Sequence, residues 1–170
     1  MYTVINSQLP LTLVTLEEVK QQCRLMPSFT LDDDYLTSLI TTCSELAQTY
    51  TNRLLTLGSV SGESDEYKPV VQLPWGGANA ITELKLDGVT TTDFTFSPIT
   101  QKLKLYTFYR NMQVTYSCGY DVLPAKVKHA ILIMISTFYN NRDDYITGMT
   151  VEKMPTTSQS LLNSVRYYGT

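Results

Sequence analysis

The stretch Leu123-Pro124-Ala125-Lys126-Val127-Lys128-His129-Ala130-Ile131-Leu132-Ile133-Met134-Ile135-Ser136-Thr137-Phe138-Tyr139 decides the architecture. Proline suits the first position of a helix, where its missing N–H costs nothing, so a helix is predicted from Leu123-Pro124 to Tyr139 or Asn141. From Ala130 to Ile135 every residue is apolar, and the helical wheel has no polar side there. Such a helix must be covered all round. Within one small domain, preceding helices and a sheet could cover it; in an oligomer, a neighbouring subunit could.

Downstream, Asn140-Asn141-Arg142-Asp143-Asp144 gathers hydrogen-bonding side chains at the helix C-terminus. The helix dipole favours Arg142 there, and a solvated helix end explains the cluster; a polar interface rim would use the same residue types. A loop through Pro155 follows. A short helix is then predicted, capped by Thr157 or Ser158, with Leu161, Leu162 and Val165 on one side. Arg166-Tyr167-Tyr168-Gly169-Thr170 comes last.

Upstream, Thr15-Leu16-Glu17-Glu18 is a capping box opening a helix that must stop before Pro27. A second helix opens at Asp32-Asp33-Asp34, whose carboxylates suit the positive end of the dipole. Leu36, Leu39, Ile40, Cys43, Leu46, Ala47, Tyr50 and Leu54 then form one apolar stripe. Gly58 and the Ser/Gly/Glu stretch through Asp65 predict a stop and a solvated loop. The middle of the chain reads as five or six short antiparallel strands: Val70–Leu73, Ala80–Leu86, the Phe94/Phe96 pair, the Leu103/Leu105 pair, and Met112, Val114 and Tyr116 on one face. Asp87-Gly88 is a hairpin turn signal, Trp75-Gly76-Gly77 reads as a turn, and Gly119 ends the sheet zone.

A chain of 170 residues is long enough for one domain with a sizeable core, and 43% hydrophobic residues exclude wholesale disorder. Twelve tyrosines favour contact surfaces, because each joins apolar area to a polar tip. The net charge of −3, with scattered basic residues, excludes a sequence-reading nucleic-acid binder. Cys23, Cys43 and Cys118 form no CxxC pair and read as free thiols. No signal-peptide pattern opens the sequence, and no apolar run can span a bilayer, so the expected site of synthesis is the cytosol.

Chemistry is scarce. His129, the sole histidine, has no partner at zinc-ligand spacing, and no nucleophile elbow accompanies it. Asp32-Asp33-Asp34 lacks the calcium-loop spacing. Gly76-Gly77 is not followed by a phosphate-cradling pattern.

Two ordered sets of residues resemble tailed-phage head–tail connector (adaptor) proteins. The first is Leu13-Val14-Thr15-Leu16-Glu17-Glu18-Val19-Lys20, Asp32-Asp33-Asp34-Tyr35-Leu36 and Ala47-Gln48-Thr49-Tyr50-Thr51-Asn52-Arg53-Leu54-Leu55. The second is Val114–Tyr120, Leu123–Ile131, Thr137–Arg142 and Leu161–Tyr167. The strand zone from Pro69 to Tyr116 looks like the β insertion of the longer family members.

The resemblance implies an α+β protein: mainly a helical bundle, its long second helix packed on the apolar third, with an inserted small antiparallel β subdomain and a C-terminal short helix and tail. It would be a single adaptor domain over 1–170, with helices in 12–58, the β insertion in 67–118 and C-terminal helices and tail in 123–170. It also implies a non-enzymatic virion protein, assembled in the host cytoplasm, without cofactor or metal. Copies would form a cyclic homo-oligomer, commonly twelvefold, between the portal protein and the stopper or tail proteins. Genomic DNA would pass through the channel without sequence-specific binding, and no membrane is involved. Leu161, Leu162, Val165, Arg166, Tyr167 and Tyr168 are the expected portal-facing anchors. Ile133, Phe138, Asn141, Arg142, Asp143 and Asp144 are the expected inter-subunit residues. A tail-terminator ring, or an enzyme with an unrecognised site, are the alternatives.

Overall fold

Thr15 caps the first helix as its spacing predicts: its hydroxyl accepts from the Glu18 N–H at 3.2 Å, and the Glu18 carboxylate accepts from the Thr15 N–H at 3.0 Å. Such a cap contributes about 1 kcal/mol. The computed structural model describes residues 2–8, 10–141 and 157–169. Arg142, Asp143 and Asp144, expected at an inter-subunit contact, lie outside the described residues.

The fold is α+β, with four helices and antiparallel sheets among the described residues. The chain divides into two compact units. A helical unit comprises Leu11–Thr51 and Leu123–Arg166, and a β unit comprises Met1–Pro10, Asn52–Val122 and Tyr167–Thr170.

The helical unit contains α1 (Leu16–Gln22), α2 (Asp33–Thr51), α3 (Ala125–Asn140) and α4 (Thr157–Asn163). Leu36, Leu39, Ile40, Cys43 and Ala47 of α2 are buried, as are Val127, Ala130, Ile131 and Ile135 of α3. The long second helix therefore does pack on the apolar third. Polar ties join the helices. Lys20, almost fully buried, pairs with Asp33 at 2.7 Å, and Lys128 pairs with Glu18 at 2.6 Å. The Tyr139 hydroxyl donates to Asp32 at 2.7 Å. The acidic run thus bonds α2 to α1 and α3, a larger role than the dipole alone predicted.

Some boundaries differ from expectation. The second helix stops at Thr51, because Asn52 takes the left-handed conformation (φ 50°); Leu54 is instead buried in the core of the β unit. Pro124 caps the third helix, one residue before its first turn. Leu46, expected in the buried stripe, is 45% exposed.

Among its described residues the β unit holds eight strands, where five or six were expected in the middle of the chain: β1 (Tyr2–Gln8), β2 (Gly58–Ser64), β3 (Val70–Gln72), β4 (Ala78–Leu86), β5 (Val89–Thr90), β6 (Phe94–Ser97), β7 (Lys102–Leu105) and β8 (Met112–Cys118). One antiparallel sheet has the order β1-β2-β8-β4-β5, the other β3-β7-β6. Their inward residues share one core, which includes Val60, Leu73, Leu84, Leu103, Tyr109, Met112, Val114 and Tyr116.

The predicted loop through Asp65 is in fact β2, and it is internal to its sheet. β1 pairs on one side and β8 on the other. Its composition hides it: Val60 is its single large apolar side chain, and the other inward position is Gly62. In β4, Ile81 and Leu84 are three residues apart, so strict alternation would put them on opposite faces. A register shift between Ile81 and Glu83 resolves the conflict. Asp87 and Gly88 both take positive φ, the conformation of a two-residue hairpin turn, as the Asp-Gly signal predicts.

Burial pushes the thiols of Cys43 and Cys118 up to about 12, and that of partly buried Cys23 upward too. The native protein treated with a maleimide should label at Cys23 first, with Cys43 and Cys118 labelling only on unfolding; mass spectrometry of the labelled peptides checks this. Two glycines give a second test. Gly88 (φ +83°) has open space around its missing Cβ, so Gly88→Ala should cost about 1 kcal/mol through backbone strain alone. Gly119 (φ +109°) faces the Thr56 carbonyl oxygen, 2.1 Å from where a Cβ would sit, so Gly119→Ala should cost clearly more in urea unfolding.

Candidate assembly surfaces

The helical unit leaves part of its apolar surface open. On α3, Ala130, Ile131 and Ile135 are buried, while Leu132, Ile133 and Met134 are only partly covered. Ile133, Met134 and Phe138 of α3 line a groove with Leu46 and Tyr50 of α2 and Leu162 of α4. Residues three and four apart on α2 and α3 meet on one face, so Leu46 and Tyr50 stand beside each other, as do Met134 and Phe138. Phe138 is 39% exposed.

One wall of the groove is braced by a polar tie. The Tyr50 hydroxyl donates to the Asn163 side-chain oxygen at 2.7 Å, and the Arg166 guanidinium lies over the Tyr50 ring, 4.7 Å from its centroid. Leu162 packs inward at 3% exposure, so it holds α4 to the unit rather than facing outward. Leu161 and Val165 are partly buried. Asn141 caps α3: its side-chain amide donates to the Thr137 carbonyl at 3.0 Å.

The β unit has its own feature, built around Tyr167. The Tyr167 hydroxyl donates to the Leu73 carbonyl at 2.8 Å and accepts from the Gln72 side-chain amide at 2.5 Å. The Asn52 amide donates to the Tyr167 carbonyl at 3.2 Å, and the Arg53 guanidinium lies 5.6 Å from the ring centroid. Gly76 lets the ring approach its backbone, since a Cβ there would lie 2.4 Å from Tyr167 Cγ. Tyr168, the next residue, is 68% exposed.

Six residues were expected to face a portal: Leu161, Leu162, Val165, Arg166, Tyr167 and Tyr168. Of these, Leu162, Arg166 and Tyr167 make the internal contacts above, and Tyr168 is the most exposed large side chain. Ile133 and Phe138, expected between subunits, do come together in one groove. Sequence reasoning did not single out Leu46 and Met134 as surface residues, because an apolar residue on an amphipathic stripe reads as core. Nor did it find Gln72, Gly76 and Arg53, since no local pattern links them to Tyr167.

Acid–base chemistry is structural in character. Hydrogen bonds from Asn111 and then Gln113 hold Glu63 below the usual carboxylate range, and the backbone N–H groups of Asn111 and Arg110 do the same for Asp87. A hydrogen bond from Lys128 lowers Glu18. Among the described residues, no group of three or more His, Cys, Asp and Glu side chains could hold a metal ion, and no helix is long and apolar enough to cross a membrane.

Comparison with known proteins bears on the resemblance read from Leu13–Leu55. Residues 13–89 match the model of the phage gp6-like head–tail connector protein family, which confirms the resemblance over that stretch. No curated protein sequence matches the chain. Solved structures share the fold, among them three from one kind of particle. A chain in the neck of an empty GTA particle, computed with C6 symmetry, superposes with a TM-score of 0.78 at 15% identity, covering 100% of this chain and 97% of that one. A chain in the virion of a native gene transfer agent (GTA) particle gives 0.76 at 14% identity, and one in the neck of a native GTA particle, computed with C12 symmetry, gives 0.74 at 13%. Both of these cover 100% of this chain and 97% of the other.

The buried and the exposed residues of the groove lining should separate energetically. Leu162→Ala should cost about 2–5 kcal/mol, as for a filled core position, whereas Phe138→Ala should cost about 1 kcal/mol or less. Urea denaturation of the two variants checks the ranking.

Proposed function

We propose that this chain is a structural protein of the virion head–tail interface, one subunit of a homo-oligomeric ring that continues the DNA channel and offers the tail a platform. The observation that carries this is the match of residues 13–89 to the phage gp6-like head–tail connector family. The fold shared along the whole chain with neck components supports the same place in a particle. Such a role is not enzymatic: a ring subunit works by contact, and the sequence contains no motif of a nucleophile, metal or cofactor site.

The ring is a cyclic homo-oligomer, with twelve copies in the virion as our specific proposal. A head-to-tail contact that closes by rotation needs two different surfaces on each subunit. The open groove of α2, α3 and α4, with Ile133 and Phe138 in its lining, is well suited to be one of them; from their sequence, Asn141, Arg142, Asp143 and Asp144 are assigned to the same contact between subunits. The helical unit is then the ring-forming body, and residues 67–118 of the β unit correspond to the insertion of longer family members. Within the segment Leu161–Tyr168, the exposed Tyr168 is the anchor that meets the portal protein, while Leu162, Arg166 and Tyr167 shape the segment from inside; stopper or tail proteins bind on another face of the ring. With a net charge of −3, the ring is not expected to grip the DNA that passes it.

Electron microscopy of particles tests the placement: density for this chain should lie against the portal, and density at the far side of the connector would instead identify a terminator ring. For the contact itself, Phe138→Glu should leave subunit unfolding nearly unchanged and abolish ring formation on the portal, read by native mass spectrometry. Tyr168→Ala should weaken portal binding while leaving the ring contact intact.

A further inference from the structure

Tyr167 is held as a ligand is held in a site. Its hydroxyl is bonded twice, its carbonyl once, and a guanidinium covers its ring, and all of these partners belong to the β unit. The approach of the ring is possible only because residue 76 is glycine. A second glycine, Gly169, closes over the same ring, since a Cβ there would lie 2.6 Å from Tyr167 Cε1. Yet residues 167–169 belong to no strand, so this segment can leave without breaking any pairing in either sheet.

We propose that the cradle formed by Asn52, Arg53, Gln72, Leu73 and Gly76 is an exchangeable recognition site for the Tyr167–Gly169 segment, filled by the subunit's own tail when isolated and by the tail of a second copy on assembly. The chemistry of recognition is the same in both cases. A phenol hydroxyl satisfies one donor and one acceptor, an aromatic face meets a cation, and a glycine two residues on allows the backbone to fold back. Occupancy by the subunit's own tail is favoured by effective concentration, Arg166 being held on the Tyr50 ring of the same chain; in a closed ring a neighbouring tail would compete for the same cradle. Exchange of an identical segment makes no contact that the isolated subunit lacks, which is why it costs little. The source of the second tail rests on the ring reading; the recognition itself does not.

The test needs no virion partner, so it separates from the connector assignment. In full-length Tyr167→Ala the cradle is vacant, and Trp75, the single tryptophan and neighbour of Gly76, reports on it by fluorescence. A synthetic peptide with the sequence of residues 163–170 should produce a saturable change. Adding Gly76→Ala should abolish that change, with circular dichroism confirming a folded chain. Gln72→Leu, which spares the backbone, should weaken it roughly tenfold. An equimolar mixture of the Tyr167→Ala and Gly76→Ala single variants, one with a free cradle and the other with a free tail, should sediment heavier than either alone near the peptide's dissociation constant. No saturable binding, or binding indifferent to residues 72 and 76, overturns the site. Peptide binding with a mixture no heavier than its components overturns exchange between copies.

Discussion

The helical unit depends on one constraint: α3 carries apolar side chains on every side of its central turns, more than one packed face can bury. α1, α2 and α4 cover one side, and Ala130, Ile131 and Ile135 are sealed there. The remaining surface, Ile133, Met134 and Phe138, defines the groove and requires Leu46 and Tyr50 opposite it to be apolar as well. Exposed apolar area of this kind is a cost for a lone subunit in water and an asset for one that will be covered. The rest of the unit holds α3 in place. Lys128–Glu18 ties it to α1, and Tyr139–Asp32 ties it to the start of α2.

How much of this was legible depends on whether the signal is local. The Thr15 capping box, the Asp87-Gly88 turn and the α2 stripe from Leu36 to Ala47 are each written within a few residues, and each was legible. β1 and β2 were not. β2 has Val60 as its only large inward side chain, and its place comes from pairing with β1 on one side and β8 on the other, contacts distant in sequence. The end of α2 was misplaced for a related reason: Leu54 fits the helical period, but a left-handed Asn52 sends it into another core. Periodicity reports that a residue is buried, and leaves open which core takes it.

The assembly surfaces divide in the same way. Ile133 and Phe138 could be singled out because they lie on a helix too apolar for one side of cover. Tyr167 looked like an outward anchor, since tyrosine and arginine dominate interface hot spots. Its cradle is assembled from residues 52–53 and 72–76, more than ninety positions away for most of its contacts, as with the Gln72–Tyr167 separation of 95. No composition rule can see such a site.

The tyrosines show the general point. An excess of them suggested outward-facing contact area, yet many hydroxyls are bonded within the subunit. Tyr50 reaches Asn163, Tyr139 reaches Asp32, Tyr109 reaches the Glu66 carbonyl, and Tyr116 accepts from the Trp75 N–H. Burial raises the Tyr109 and Tyr116 hydroxyls above the ordinary phenol range, which favours their neutral form. A tyrosine used this way bridges elements that apolar packing alone would let slide, since its ring fills space and its hydroxyl fixes one direction. On the proposed ring reading, a subunit that presents the same groove to identical neighbours would need that precision more than additional exposed aromatics. The internal tyrosines act through the shape they hold rather than through the surface they offer.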